Sequence, residues 1–203
     1  MSLTTTPQEV SKDITKLCSK INQAKPRYIP CKVEPWAELN ECFPNVAHKV
    51  REAGGRMIVG WQIWEWPDVL AEAEYHAVWE SPKGEWLDIT PKDDGVDRIL
   101  FLPDHGRPYK GRRKDSKRMA LNGNPVSKVL IAASERIFRL TSAGESIDRP
   151  GLITLVGEDL AEYERLALQH DIARRMLLAG GGMEHECLCG SRLEYESCCA
   201  VLD

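Results

Sequence analysis

Apolar residues recur at helical spacing near the start of the chain. In PQEVSKDITKLCSKINQ (7–23), Val10, Ile14, Leu17, Cys18 and Ile21 share one stripe, and Pro7 after Thr6 suits a first turn. The spacing predicts a helix, with Cys18 in the core. A proline-containing connector, KPRYIPCKVEP, follows. WAELNECFPNVAHKVREAGG then places Phe43, Val46, Ala47 and Val50 on one helical face, with Cys42 at its N-terminal edge and Gly54-Gly55 as its stop.

From residue 56 the rhythm changes. RMIVGWQIWEW, EAEYHAVWE, GEWLDIT and RILFLPD are short, rich in β-branched and aromatic residues, and separated by turn residues. They predict four strands. Ser81-Pro82-Lys83-Gly84 marks a hairpin between the second and third. A three-residue loop with Gly84 left-handed pairs Ser81 with Glu85 and Val78 with Asp88. His76 and Asp88 then share one face on a diagonal. A two-residue loop would send them to opposite faces.

Residues 104–125 read as a solvated basic loop, with Tyr109 its one aromatic residue. VSKVLIAASERIFRL (126–140) fits a helix or a strand. TSAGESIDRPG is a linker. Residues 157–180 form an amphipathic helix ending at Gly180-Gly181-Gly182, a hinge before the tail. No internal repeat is present.

Composition narrows the field. A net charge of −4 over 203 residues argues against a strongly basic nucleic-acid binder. No apolar run is long enough to span a membrane. The first residues, MSLTTTPQEVSKD, carry no apolar signal core, so the expected location is cytoplasmic. In that setting clustered cysteines point to metal or catalysis before disulfides.

Four of the seven cysteines, Cys187, Cys189, Cys198 and Cys199, fall in CLCGSRLEYESCC near the C-terminus. Four thiolates at this spacing suit one tetrahedral zinc ion, with Gly190-Ser191 turning the chain and His185 as a substitute ligand. Iron is the alternative occupant. Adjacent cysteines such as 198 and 199 pair with each other only under strain.

The stretch resembles the SEC-C motif, C-x-C-G-S-G-x-x-x-Y-x-x-C-[CH], found in many bacterial proteins. Cys187, Cys189, Gly190, Ser191, Cys198 and Cys199 match it, and Tyr195 lies one position from the family's aromatic residue. Arg192, Glu194 and Glu196 replace its usual glycine and lysines, giving a less basic knob. The resemblance implies a structural zinc knob that contacts another protein or the ribosome.

Cys42, His76 and Asp88 form a second constellation. A thiol nucleophile needs an environment that favours thiolate, which a helix N-terminus supplies. It also needs a base, and the base needs an orienting group. The bland alternative is that all three only pack. The order over about residues 36–104 resembles the papain-like and transglutaminase-like cysteine enzymes. There a cysteine opens a helix on an antiparallel sheet, and His and Asp come from adjacent strands. Phe43 stands where the tryptophan after the cysteine is usual. In place of papain's upstream oxyanion glutamine, Asn40, Asn45, Gln62 and the Cys42 backbone N–H are the candidates.

The expected fold is α+β: a papain-like domain over 1–150, a helix and glycine hinge over 151–182, and a zinc-binding motif over 183–203. The expected function is a cysteine-dependent hydrolase or acyltransferase acting on a peptide or small amide or ester. Its structural zinc tail would dock a protein partner. A non-enzymatic zinc adaptor is the alternative from another class. An RNA-associated factor using residues 107–118 is a third, expected to bind with strong salt dependence.

Overall fold

The computed structural model describes residues 3–92, 95–106, 109–121, 123–142 and 154–201. The chain divides into two compact units. The first comprises residues 1–67, 71–110 and 116–118, and the second residues 68–70, 111–115 and 119–203. The linker over 141–151 and the boundary at 150 lie almost wholly outside the described residues.

The first unit is helix on antiparallel sheet. Its elements are α1 (Lys12–Ser19), β1 (Arg27–Pro30), α2 (Cys42–Ala53), β2 (Arg56–Trp66), β3 (Leu70–Glu80), β4 (Trp86–Leu87) and β5 (Arg98–Pro103). The strands run in the order β1-β5-β2-β3-β4. A further strand, β6 (Lys117–Ala120), whose first half belongs to this unit, pairs with β3.

Two layers of apolar side chains close the sheet. Ile29, Ile58, Val78, Ile99 and Phe101 form one cluster. Cys42, Val46, Ala77, Trp79 and Ile89 form the other, where α2 lies on the sheet. Odd and even positions of β3 thus serve opposite faces, as strand alternation requires. Gly60 of β2 is needed for close approach, since a Cβ there would meet the Leu102 carbonyl oxygen at 2.3 Å.

Several local expectations change. α1 begins at Lys12 because Ser11 caps it, its hydroxyl accepting from the Ile14 amide; Pro7 lies outside the helix. The connector contains β1, and the basic loop contains β6. Both are four residues long, too short for their period to stand out. β4 has only two residues, because beyond Leu87 the chain bridges in parallel with Cys31 instead.

The second unit contains α3 (Pro125–Thr141) and α4 (Gly157–Leu178), which pack on each other, followed by the cysteine tail. The segment that fitted helix or strand is α3, capped by Asn124 with Pro125 in the first turn. In α4 the buried positions Leu166, Gln169, Ile172, Ala173 and Met176 run from the middle toward the C-terminal end. Leu160, Leu168 and Leu178 are exposed, so the amphipathic stripe covers only part of the helix. No helix among the described residues is long and apolar enough to cross a membrane.

Candidate functional site

Cys42 is the first residue of α2. The first backbone N–H groups of any helix lack intrahelical acceptors. Pro44 falls in this first turn, where its missing N–H removes no helical bond, and the Asn45 amide makes the first one to the Glu41 carbonyl at 2.9 Å. Cys42 therefore sits at the positive end of the helix dipole, among N–H groups that have no acceptor within the helix.

The β3–β4 turn has the three-residue register. Gly84 has φ +84°, the Ser81 amide donates to the Glu85 carbonyl at 2.8 Å, and Trp79 pairs with Leu87. Continued, that register sets Val78 opposite Asp88, with His76 on the diagonal. His76 Nε2 lies 3.2 Å from Asp88 Oδ2. Asp88 is fully buried, and its other oxygen accepts from the Thr90 amide at 3.1 Å.

Burial opposes charge on the imidazole, yet the charges of the Cys42 thiolate and Asp88 outweigh it and push His76 up to about 10. Burial likewise opposes charge on Asp88, and the His76 and Lys92 cations overcome it, holding the carboxyl down at about 2. The pair is thus charge-stabilised on both sides. With Nε2 turned to Asp88, Nδ1 is the imidazole nitrogen left for a thiol.

Cys42 and His76 line one cavity of about 320 Å³. Gln62 and Trp64 of β2 and Glu72 and Glu74 of β3 form its wall at period two, with Asn40, Thr90 and Lys92 also at its edge. Glu72 pairs with Arg118 at 3.0 Å, and Glu74 accepts from the Trp64 indole at 2.7 Å.

The three side-chain oxyanion candidates separate. Gln62 is buried, lines the cavity, and its Nε2 has no hydrogen-bond partner among the described residues. Asn40 also lines it, two residues before the cysteine, with φ 63°, a conformation asparagine tolerates. Asn45 is committed elsewhere. Its Nδ2 donates to the Glu38 carbonyl at 2.8 Å and to Thr90 Oγ1 at 3.3 Å, and its Oδ1 accepts from the Glu38 amide at 3.0 Å. This amide ties the loop before Cys42 to the segment carrying Asp88. Asn45→Ala is expected to lower stability by about 1–2 kcal/mol. Thermal unfolding checks this, and an unchanged midpoint would mean the tether contributes nothing.

Sequence reasoning missed Lys92, whose Nζ lies 2.8 Å from Asp88 Oδ2. It also missed Tyr109, which stacks on Phe43 at 3.8 Å between ring centroids. Part of the basic loop is therefore packed beside the cysteine. No motif marked either residue, because each is defined by a partner that only folding brings near.

In the tail, Cys187, Cys189, Cys198 and Cys199 present sulfurs that all lie within 4.8 Å of one another. Cys189 and Cys198 are 3.5 Å apart, and Cys198 and Cys199 3.8 Å. These are not disulfide lengths, and all four are free thiols. A tetrahedron with metal–sulfur bonds of about 2.3 Å has sulfur–sulfur edges of about 3.8 Å, so the donor set fits a metal ion. The knob closes through the Cys187 amide to the Leu193 carbonyl and the Tyr195 amide to the His185 carbonyl, each 2.8 Å. Ser191 Oγ is 3.1 Å from Cys198 Sγ. Hydrogen bonds from Ser191, side chain first and then backbone, draw the Cys189 thiol down to about 6. His185 lies outside the cluster, its Nδ1 accepting from the Gly182 amide at 2.9 Å.

Compared with protein-family models, with curated proteins and with solved structures, the chain matches none.

Proposed function

We propose that the protein is a cysteine-dependent hydrolase or acyltransferase of the papain-like or transglutaminase-like kind, acting on an amide or ester. The observation that carries this reading is the buried His76–Asp88 pair, whose imidazole lines the same cavity as Cys42 at its helix N-terminus. His76 holds the thiol proton as imidazolium, and the Cys42 Sγ thiolate attacks the substrate carbonyl in the first step. The resulting oxyanion is stabilised by the Cys42 backbone N–H, assisted by Gln62 or Asn40. The C–N or C–O bond then breaks as the imidazolium protonates the leaving amine or alcohol, leaving a thioester. Water, or an acceptor amine or alcohol, gives its proton to His76 and releases the acyl group. Asp88 orients the imidazole and stabilises its charged form throughout.

The tail supports a second element of the reading, a SEC-C-like knob holding structural zinc. All four coordination positions would be filled by protein sulfur, so the metal has no open position for chemistry. Leu188 and Leu193 are exposed on this knob, which favours the companion role of docking a protein partner.

The test is the pH dependence of Cys42 alkylation in the metal-loaded chain, read by peptide mass spectrometry to separate it from the tail cysteines. Fast modification at about pH 6, slowed at least tenfold in His76→Ala, is the expected result. Equal rates in both proteins, or reaction only near the ordinary thiol pKa of about 8.5, would overturn the enzyme reading. The adaptor reading would then stand in its place.

A further inference from the structure

Lys92 is a cationic residue of the cavity that the proposed chemistry leaves without a role. Its side chain is only 10% exposed, whereas an unpaired surface lysine would keep its ammonium in water. Its Nζ lies 2.8 Å from Asp88 Oδ2, the same oxygen that His76 Nε2 meets at 3.2 Å. A carboxylate oxygen has two lone pairs and can accept both. Thr90 N–H holds the other oxygen at 3.1 Å. The carboxylate is thus gripped from three directions, more than orienting one imidazole requires. The chain reaches this contact by bending at Thr90, two residues after Asp88, not through a helix.

We propose that Lys92 is a positioning residue of the Cys42–His76–Asp88 site: its ammonium clamps the carboxylate that orients the imidazole and offsets that carboxylate's charge. The inference rests on the reading of these residues as a working site. A bare buried carboxylate would hold the His76 proton still more tightly, and the imidazolium must give that proton to the leaving group. A second cation on the same oxygen weakens that hold while stopping the carboxylate from rotating away.

The charged groups around the imidazole are few. Cys42 faces it from α2, and Asp88 and Lys92 from the segment after β4. On its own strand Glu74 and Glu72 follow along the cavity, the latter paired to Arg118 of β6. From β5 comes the neutral edge of Phe101, 6.5 Å between centroids. Burial lowers the His76 pKa, the Cys42 and Asp88 charges raise it, and the Lys92 charge lowers it.

The experiment is an NMR titration of the His76 imidazole in the full, metal-loaded chain, as wild type, Lys92→Met and Lys92→Arg. Lys92→Met is expected to raise the His76 midpoint by roughly one unit, and Lys92→Arg to return it to within a few tenths of wild type. Lys92→Gln, which keeps a donor but no charge, is read where methionine disturbs the fold and is expected to move the midpoint the same way. A Met or Gln midpoint unchanged or lowered in a folded protein, or a folded Lys92→Arg that does not restore it, overturns the proposal. The readout does not need Cys42 to react. A raised midpoint together with alkylation indifferent to His76 would retain the clamp and remove the enzyme reading.

Discussion

Asp88→Ala is expected to destabilise the protein by about 3–5 kcal/mol, the range for removing one partner of a buried ion pair. The magnitude follows from what is left behind. The Lys92 ammonium, the His76 imidazole and the Thr90 amide all donate to this one side chain, which is fully buried. All three residues are nearly buried, so each would lose its acceptor with little water at hand to replace it. Asp88→Asn keeps an acceptor of similar size and is expected to lose roughly half as much. Urea midpoints in the three proteins measure the difference, and a loss under about 1 kcal/mol for alanine would mean that water already serves these donors.

The same pair fixes the pH dependence of wild-type stability. The Asp88 carboxyl sits near 2 in the fold against about 3.9 when unfolded, so its contribution is present above pH 4 and is lost as pH falls toward 2. The His76 imidazole is raised to about 10 in the fold against about 6.5 unfolded. Its contribution is complete below pH 6.5 and is lost as pH rises toward 10. These are two views of one interaction, so they define a plateau between about pH 4 and 6.5 and do not add. In Asp88→Asn both limbs should flatten.

The second large effect concerns the tail. Removing the metal at neutral pH, or replacing Cys198 by serine, is expected to unfold residues 183–201, since structural zinc contributes on the order of 10 kcal/mol to sites of this kind. Among the described residues of the knob only Cys187, Tyr195 and Ala200 are buried hydrophobic residues, too few to hold it closed without the metal. One equivalent of zinc per chain by elemental analysis, and loss of amide protection in this segment on chelation, are the expected results. An iron occupant would instead show visible absorption. A metal-free chain whose tail amides stay protected would sink the structural role.

Much of this was legible along the chain. The helix opened by Cys42 follows from apolar spacing and from the Gly54-Gly55 stop. The placing of His76 beside Asp88 follows from a three-residue loop that needs a glycine at positive φ, which is a local requirement with a long-range result. The tail cluster was readable because its ligands lie within thirteen residues of sequence and the intervening turn is short. α3 was ambiguous by periodicity alone, because apolar VLIAA fits a buried strand as well as a helix face; Asn124-Pro125 was the capping signal that resolves it.

What sequence by itself determined, then, were features whose cause is local: period, caps, turn chemistry and ligand spacing. Which residues complete the site was decided only by tertiary structure. Asn45 and Gln62 were equal candidates as amides; the difference is that Asn45 meets Thr90 across forty-five residues while Gln62 Nε2 meets no acceptor among the described residues. Tyr109 reads as part of a basic loop until Phe43, far earlier in the chain, provides a ring to stack on. Lys92 drew no reading in the sequence; the bend at Thr90 brings its ammonium back to a carboxylate that burial has stripped of water. Hydrogen bonds and ion pairs depend on distances of about 3 Å between groups that the chain brings together only by folding, and spacing along a sequence carries no record of them.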